Sequence, residues 1–237
     1  MRNTFKSLGC SFLILIALNL MGQSNDNAEN TLKVSKTEDF EFSGDGSAKQ
    51  WNQAEWIAMP QRKAEGKTYQ TDVKLLYSET GIYCLFRCED DKVTATLTED
   101  FADLWEEDVV EIFFWPDEKL PVYFEYELSP LNYELPILVP NRGGDFLGWR
   151  PWKYKGDRLT RHATSVSDMP NDETWLAEFF IPFALLEPLV LDIPESGTKW
   201  RVNMYRNDYD TGASTWSWQT VRTNYHDYES FGTMVFE

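Results

Sequence analysis

The sequence predicts an all-β protein: an antiparallel β-sandwich of immunoglobulin- or jelly-roll-like layers joined by irregular loops. Three observations carry that prediction. Strand-like runs recur about every eight to twelve residues, with turn residues between them. No stretch of about twelve residues keeps a helical apolar period. Aromatic residues make up 15% of the chain, with 10 Trp and 11 Tyr, and strands favour such side chains.

The first residues fall outside this pattern. Arg2 and Lys6 precede an apolar run from Phe12 to Met21, and Gly22 supplies a small residue near a cleavage point. Residues 1–22 therefore read as a signal peptide. The run is only about ten residues long, too short for a membrane span. Leu8-Gly9-Cys10 looks like part of a lipid-attachment site, but it stands before the apolar run rather than after it. The expected location is secreted, periplasmic or cell-surface. Residues 23–37 are polar and read as a mobile leader. Residues 38–237 remain, and with no linker or repeat to divide them they read as one domain.

Within the domain, Phe40 and Phe42 alternate with acids as a first short strand, and Gly44-Asp45-Gly46 is a turn. Trp51 to Met59 reads as an irregular segment burying Trp51 and Trp56. Residues 71–77 and 82–88 alternate around Glu79-Thr80-Gly81 as a hairpin. The strand over residues 108–115 follows an acidic corner at Trp105. Its alternate side chains lie on opposite faces. Val110, Ile112 and Phe114 form a core face, while Val109, Glu111, Phe113 and Trp115 form a face that is apolar yet carries a carboxylate.

Residues 122–129 read as a half-exposed strand, with Tyr123, Glu125, Glu127 and Ser129 on the outer side. A hairpin between these two strands would bring Glu125 or Glu127 near Glu111. Tyr133 to Val139 alternates again, residues 141–148 are a Gly-rich loop, and Trp149, Trp152 and Tyr154 fall on an irregular strand. Further strands are expected at His162–Val166, Trp175–Pro182, Trp200–Asn207, Trp216–Val221 and Ser230–Phe236, with a single turn or short helix at Phe183–Leu186.

The net charge of −17 disfavours nucleic acid, which needs a basic footprint. It is compatible with structural calcium, for which Asp90, Asp91, Asp208 and Asp210 are candidates without a recognised loop spacing. No cofactor is required by any motif. Cys84 and Cys88 share a strand face about 13 Å apart, beyond the roughly 7 Å that a disulfide spans, so they read as buried apolar residues.

Several landmarks then align in order: Asp45-Gly46 before Trp51; Tyr83; Leu104-Trp105-Glu106-Glu107-Asp108-Val109-Val110-Glu111-Ile112-Phe113; Trp175-Leu176-Ala177-Glu178 with Ile181-Pro182; Gly197 to Arg201; and Phe231-Gly232. Together they resemble the family 9 carbohydrate-binding module in its broader, family 9-like form, over roughly residues 38–237. The resemblance implies a β-sandwich that binds sugars. It places a stacking Trp at Trp105, a hydroxyl-binding carboxylate at Glu111 and the second aromatic of a clamp at Tyr225. This sequence departs from the family twice, with Tyr225 replacing a Trp and Glu125 lying near the position of an Arg.

Trp105, Glu111, Tyr225 and Glu125 are thus the candidate carbohydrate-binding residues, with no catalytic and no metal residue assigned. For Glu111 the competing role is an ion pair with Arg87, Arg201 or Arg206. Glu178, a lone charge in an apolar run, is expected to pair with an Arg. Two other functions stay open: a glycoside hydrolase using Glu111 with Glu125, and a haem-binding sandwich using His226 with Met204 or Met234. The expected function is an exported, noncatalytic carbohydrate-binding protein, an accessory in polysaccharide catabolism, whose partner is an oligosaccharide or polysaccharide. The oligomeric state is left open.

Overall fold

The computed structural model describes residues 30–142, 145–153, 158–167, 174–187, 189–190 and 192–237. The signal-peptide reading, most of the leader and the assignment of Tyr154 lie outside the described residues. The strands, in chain order, are β1 (Thr31–Lys36), β2 (Ile57–Ala58), β3 (Gln61–Lys63), β4 (Thr71–Tyr77), β5 (Gly81–Glu89), β6 (Val109–Trp115), β7 (Val122–Leu128), β8 (Glu134–Arg142), β9 (Asp145–Phe146), β10 (Arg150–Pro151), β11 (Arg161–Val166), β12 (Thr174–Pro182), β13 (Lys199–Asp208), β14 (Ser214–Ser217) and β15 (Gly232–Phe236). Short 3₁₀ turns at Lys49–Gln53, Leu104–Glu106, Phe183–Leu186 and Tyr228–Ser230 interrupt them. None of the described helices is long and apolar enough to cross a membrane.

One layer runs β10-β8-β7-β6-β13-β15 and the other β4-β5-β12-β11, with β1 continuing the path between them. Strand β1 pairs through Thr31–Val34 with β15 and through Ser35–Lys36 with β4, in both cases parallel. This overturns the leader reading at its end, because residues 31–36 are a strand shared by both layers. Leu32 and Val34 are buried between polar neighbours, a period-two pattern too short to stand out in a polar stretch. Conversely, the strand expected at Phe40 and Phe42 is irregular chain. Phe40 instead stacks on Tyr83 at 4.2 Å between centroids.

The core fills the space between the layers. Val110, Ile112, Phe114, Phe124, Tyr126 and Met204 come from one side, and Val73, Phe86, Trp175 and Phe179 from the other. Tyr126 of β7 meets Phe179 of β12 at 4.9 Å, which fixes the two sheets face to face. Cys84 and Cys88 are free thiols within this core. Trp51 is buried as expected. Trp56 is half-buried, covered by the cationic ends of Lys74 and Arg87. The strand expected over Trp216–Val221 stops at Ser217.

Among the described residues, Glu178 pairs with no Arg. Its carboxylate, wholly buried, accepts the Trp51 indole N–H at 2.5 Å and the Gly44 backbone N–H at 2.6 Å. Gly44 sits at φ +87°, and a Cβ there would lie 2.8 Å from the Ala163 backbone. The glycine lets the turn approach closely enough for the Gly44 N–H to join the Trp51 indole in satisfying the charge.

The largest departure concerns the outer face of the first layer. Tyr123, Glu125, Glu127 and Ser129 are all buried. A second apolar cluster covers this face, in which Phe113, Tyr123, Leu135, Ile137 and Tyr205 meet Leu104, Tyr228 and Phe231 from the loops. The alternation was legible, but its outer side is roofed by segments distant in sequence.

Candidate functional site

The covered face opens where β6, β7 and β13 lie side by side. In the register of β6 with β7, Glu111 faces Glu127 and Phe113 faces Glu125. In that of β6 with β13, Glu111 faces Tyr205 and Val109 faces Asn207. The strand period thereby puts Glu111, Glu125, Glu127 and Asn207 on one surface. They line a cavity of about 540 Å³, a size typical of small-molecule sites.

The rim comes from three loops. Trp105 stands in the 3₁₀ corner before β6, where its carbonyl accepts the Tyr209 hydroxyl at 2.8 Å. Trp149 meets Trp105 edge to face at 5.1 Å. Tyr225 and His226 lie in a loop tied by Arg222, which donates to Asp227 at 2.6 Å. Hydrogen bonds from Arg222 outweigh burial there and hold the Asp227 carboxyl far below the usual range. Tyr225 stacks on Tyr205 at 4.1 Å, and its hydroxyl donates to Asn207 Oδ1 at 2.8 Å. One face of its ring is thus occupied by protein. Phe146 stacks on His226 at 4.1 Å.

All four residues selected from the sequence, Trp105, Glu111, Tyr225 and Glu125, line this one cavity. So do Glu127, Trp149, Phe146, Asn207, Tyr209 and His226, to which no sugar-binding role was given from sequence. Trp149, read as part of an irregular strand, and Tyr209 carried only the general signal of an aromatic residue.

The proposed ion-pair partners of Glu111 are engaged elsewhere. Arg206 faces Val110 in register, hence the opposite side of the sheet. It pairs there with Asp208 at 2.8 Å and Asp90 at 3.1 Å. Arg87 binds Asp72 at 2.7 Å, and Arg201 binds Glu118 at 3.2 Å. Glu111 instead accepts the Asn207 amide at 3.1 Å. The haem pairing fails on the same geometry, since Met204 and Met234 belong to the inter-sheet core while His226 lies on the other face, against Phe113.

Three buried carboxyls in contact cannot all ionise. Burial, then the Glu125 charge, raises Glu111 well above the ordinary carboxylate range. Burial pushes Glu125 up to about 8, offset in part by a bond to Glu127. Burial and the Glu111 and Glu125 charges raise Glu127. Two carboxylates are both acceptors, so a bond between Glu125 and Glu127 requires a shared proton. His226 sits beside them with Nδ1 2.8 Å from the Tyr123 hydroxyl and 3.7 Å from Glu125 Oε2. Burial lowers it to about 4, so its imidazole is neutral at pH 7.

A second acidic group lies behind the corner. Carboxylate oxygens of Asp90, Asp108 and Asp210 fall within 4.8 Å of one another. Asp90 and Asp210 were selected from the sequence. Asp91 instead pairs with Lys67, and Asp208 with Arg206. Asp108, read as the start of a strand, takes their place. Its oxygens accept the backbone N–H groups of Thr94 at 2.5 Å and Tyr209 at 2.8 Å, and each keeps a further lone pair. An all-oxygen, mostly buried donor set of this kind suits a hard cation such as calcium.

A β-sandwich that presents aromatic rings and carboxylates around a cleft of this size defines a small-ligand-binding module. The sequence pattern of the carbohydrate family 9 binding domain-like family matches residues 43–237, and the chain belongs to that family. Its members are noncatalytic carbohydrate-binding modules. Three solved structures share the fold. A candidate carbohydrate-binding protein from Bacteroides uniformis ATCC 8492 is 18% identical, with a TM-score of 0.71, over 88% of this chain and 99% of that one. A family 9 carbohydrate-binding module from Caldicellulosiruptor kristjanssonii, in complex with cellotriose, is 16% identical with a TM-score of 0.61, over 87% and 93% of the two chains. A structure of such a module from the same organism with glucose is 15% identical with a TM-score of 0.61, over 87% and 96%. No curated protein matches the sequence.

Proposed function

We propose that this protein is an exported, noncatalytic module that binds an oligosaccharide or polysaccharide in the cleft between Trp105 and Tyr225. The observation that carries the reading is the convergence of aromatic surface and hydrogen-bonding carboxyls on one cavity, in a family of carbohydrate-binding modules. Pyranose C–H faces stack on Trp105 and Trp149, which offer flat apolar surface at low entropic cost. Glu111, Glu125 and Asn207 at the floor accept and donate bonds to ring hydroxyls and set orientation. Tyr225, backed by Tyr205, closes the opposite side. The glucose and cellotriose complexes of the related modules make gluco-configured sugars the first ligands to try. Calcium held by Asp90, Asp108 and Asp210 would tie the Trp105 corner to the segment after β13.

A glycan array followed by calorimetry tests this reading. Trp105→Ala is expected to weaken the best ligand about tenfold to a hundredfold, or about 1.4–2.8 kcal/mol. Full affinity in that variant would overturn the site. Release of new reducing ends from a bound polysaccharide would overturn the noncatalytic assignment.

A further inference from the structure

The three floor carboxyls differ from the other buried acids among the described residues. Asp72, Asp90, Asp208 and Asp227 each meet an arginine, Glu134 meets Arg158, and Asp108 and Glu178 are satisfied by N–H donors. Glu111, Glu125 and Glu127 meet no cation, although they are only 2%, 4% and 0% exposed. Glu125 Oε2 and both oxygens of Glu127 accept no N–H or O–H from the protein, and all three residues line the cavity. The one basic side chain among the described lining residues is His226, whose Nδ1 is engaged with Tyr123. Buried acids are ordinarily paired; Glu125 and Glu127 have oxygens without a partner, and with Glu111 they border the cavity.

We infer that the cleft selects a sugar carrying a positively charged amine, a 2-amino-2-deoxy sugar with its nitrogen unacetylated, and seats the ammonium against Glu111, Glu125 and Glu127. An ammonium brings three N–H donors and one positive charge; seated on this floor it favours the ionised form, so that a floor carboxyl releases its proton to solvent and pairs with it. A hydroxyl brings one donor and no charge, and would leave most of these acceptors idle. The rings of Trp105, Trp149 and Tyr209 at the rim add electron-rich faces, which attract cations. An N-acetyl group is neutral and bulky and forfeits the charge pairing. This inference rests on the carbohydrate-binding reading and narrows its substrate class.

The test compares three trisaccharides that differ only at C2: the glucosamine trimer, its N-acetylated form and cellotriose. Each is titrated calorimetrically at pH 6.5 into the full chain and into Glu125→Gln, Glu127→Gln and Glu55→Gln. The exposed Glu55 controls for general attraction to an acidic surface. The glucosamine trimer should bind at least about tenfold tighter than the other two. Glu125→Gln and Glu127→Gln should shrink that preference to about threefold or less, and Glu55→Gln should preserve it. Thermal unfolding of each variant checks that the fold is intact. Cellotriose binding as tightly as the amine, a preference that survives both floor substitutions, or calcium alone occupying the floor in a Glu127-dependent manner would each overturn the inference. In the first case the sugar-binding reading stands, whereas failure of all three trisaccharides to bind removes both.

Discussion

Replacing Glu127 by Gln should make the protein more stable at neutral pH and flatten its pH dependence. In the folded chain Glu127 is wholly buried, opposite Glu111 and beside Glu125, so it keeps its proton well above the normal carboxylate range. In the unfolded chain a glutamate is ionised above about pH 4.5. The native state therefore binds one more proton than the unfolded state. Stability is then highest at acid pH and falls by about 1.4 kcal/mol per pH unit for this group alone. The loss continues with rising pH for as long as the folded chain holds this proton.

Glutamine has the same shape and needs no proton, so that loss disappears in the variant. The gain is larger if Glu125, raised to about 8, also relaxes when its neighbour becomes neutral. His226 works in the opposite sense. Its depressed value, about 4, means that stability rises with pH between about 4 and 6.5, which is why the comparison starts at pH 6.5. Asp90 and Asp108, raised by burial to about 8 and about 7, add to the wild-type slope but cancel in the comparison. Urea denaturation at pH 6.5, 7.2 and 8 would read the two slopes, with equal m-values as the check that both chains unfold alike. Parallel slopes for wild type and variant, or a Glu127→Gln protein less stable at pH 8, would refute the reasoning.

Three further outcomes follow from the packing. Glu178→Ala should cost about 3–5 kcal/mol in urea denaturation, because it strands the buried N–H groups of Trp51 and Gly44; a loss under 1 kcal/mol would show that water replaces the carboxylate. Cys84 and Cys88 should resist a thiol reagent in the native protein and both react in denaturant, since burial pushes Cys88 up to about 12 and Cys84 well above normal. Millimolar calcium should raise the unfolding temperature by a few degrees, and Asp108→Asn should abolish the increment; an equal calcium response in that variant would remove the assignment.

The strands that build the site were legible because their signal is local. The alternation in residues 108–115 separates Val110, Ile112 and Phe114 from Val109, Glu111 and Phe113 by period two alone, and the structure keeps that division between the inter-sheet core and the outer cluster. The same rule misjudged residues 122–129. Period two says that Tyr123, Glu125 and Glu127 share a side, but it does not say whether that side is wet.

By itself, then, the sequence determined the all-β class, most of the longer strands, the family and the Trp105–Glu111 corner, because each rests on local patterns or on their order along the chain. Only the tertiary structure decided which faces are covered and which groups meet. Trp149 and Tyr225, 44 and 120 positions beyond Trp105, close over the floor because loops from separate strands converge there. Arg206 is removed from Glu111 by strand register, Glu178 finds a turn glycine instead of an arginine, and Thr31–Lys36 becomes a strand because two sheets each offer it an edge. Burial is what turns Glu111, Glu125 and Glu127 from ordinary acids into a proton-holding floor, and burial is a property of the assembled fold.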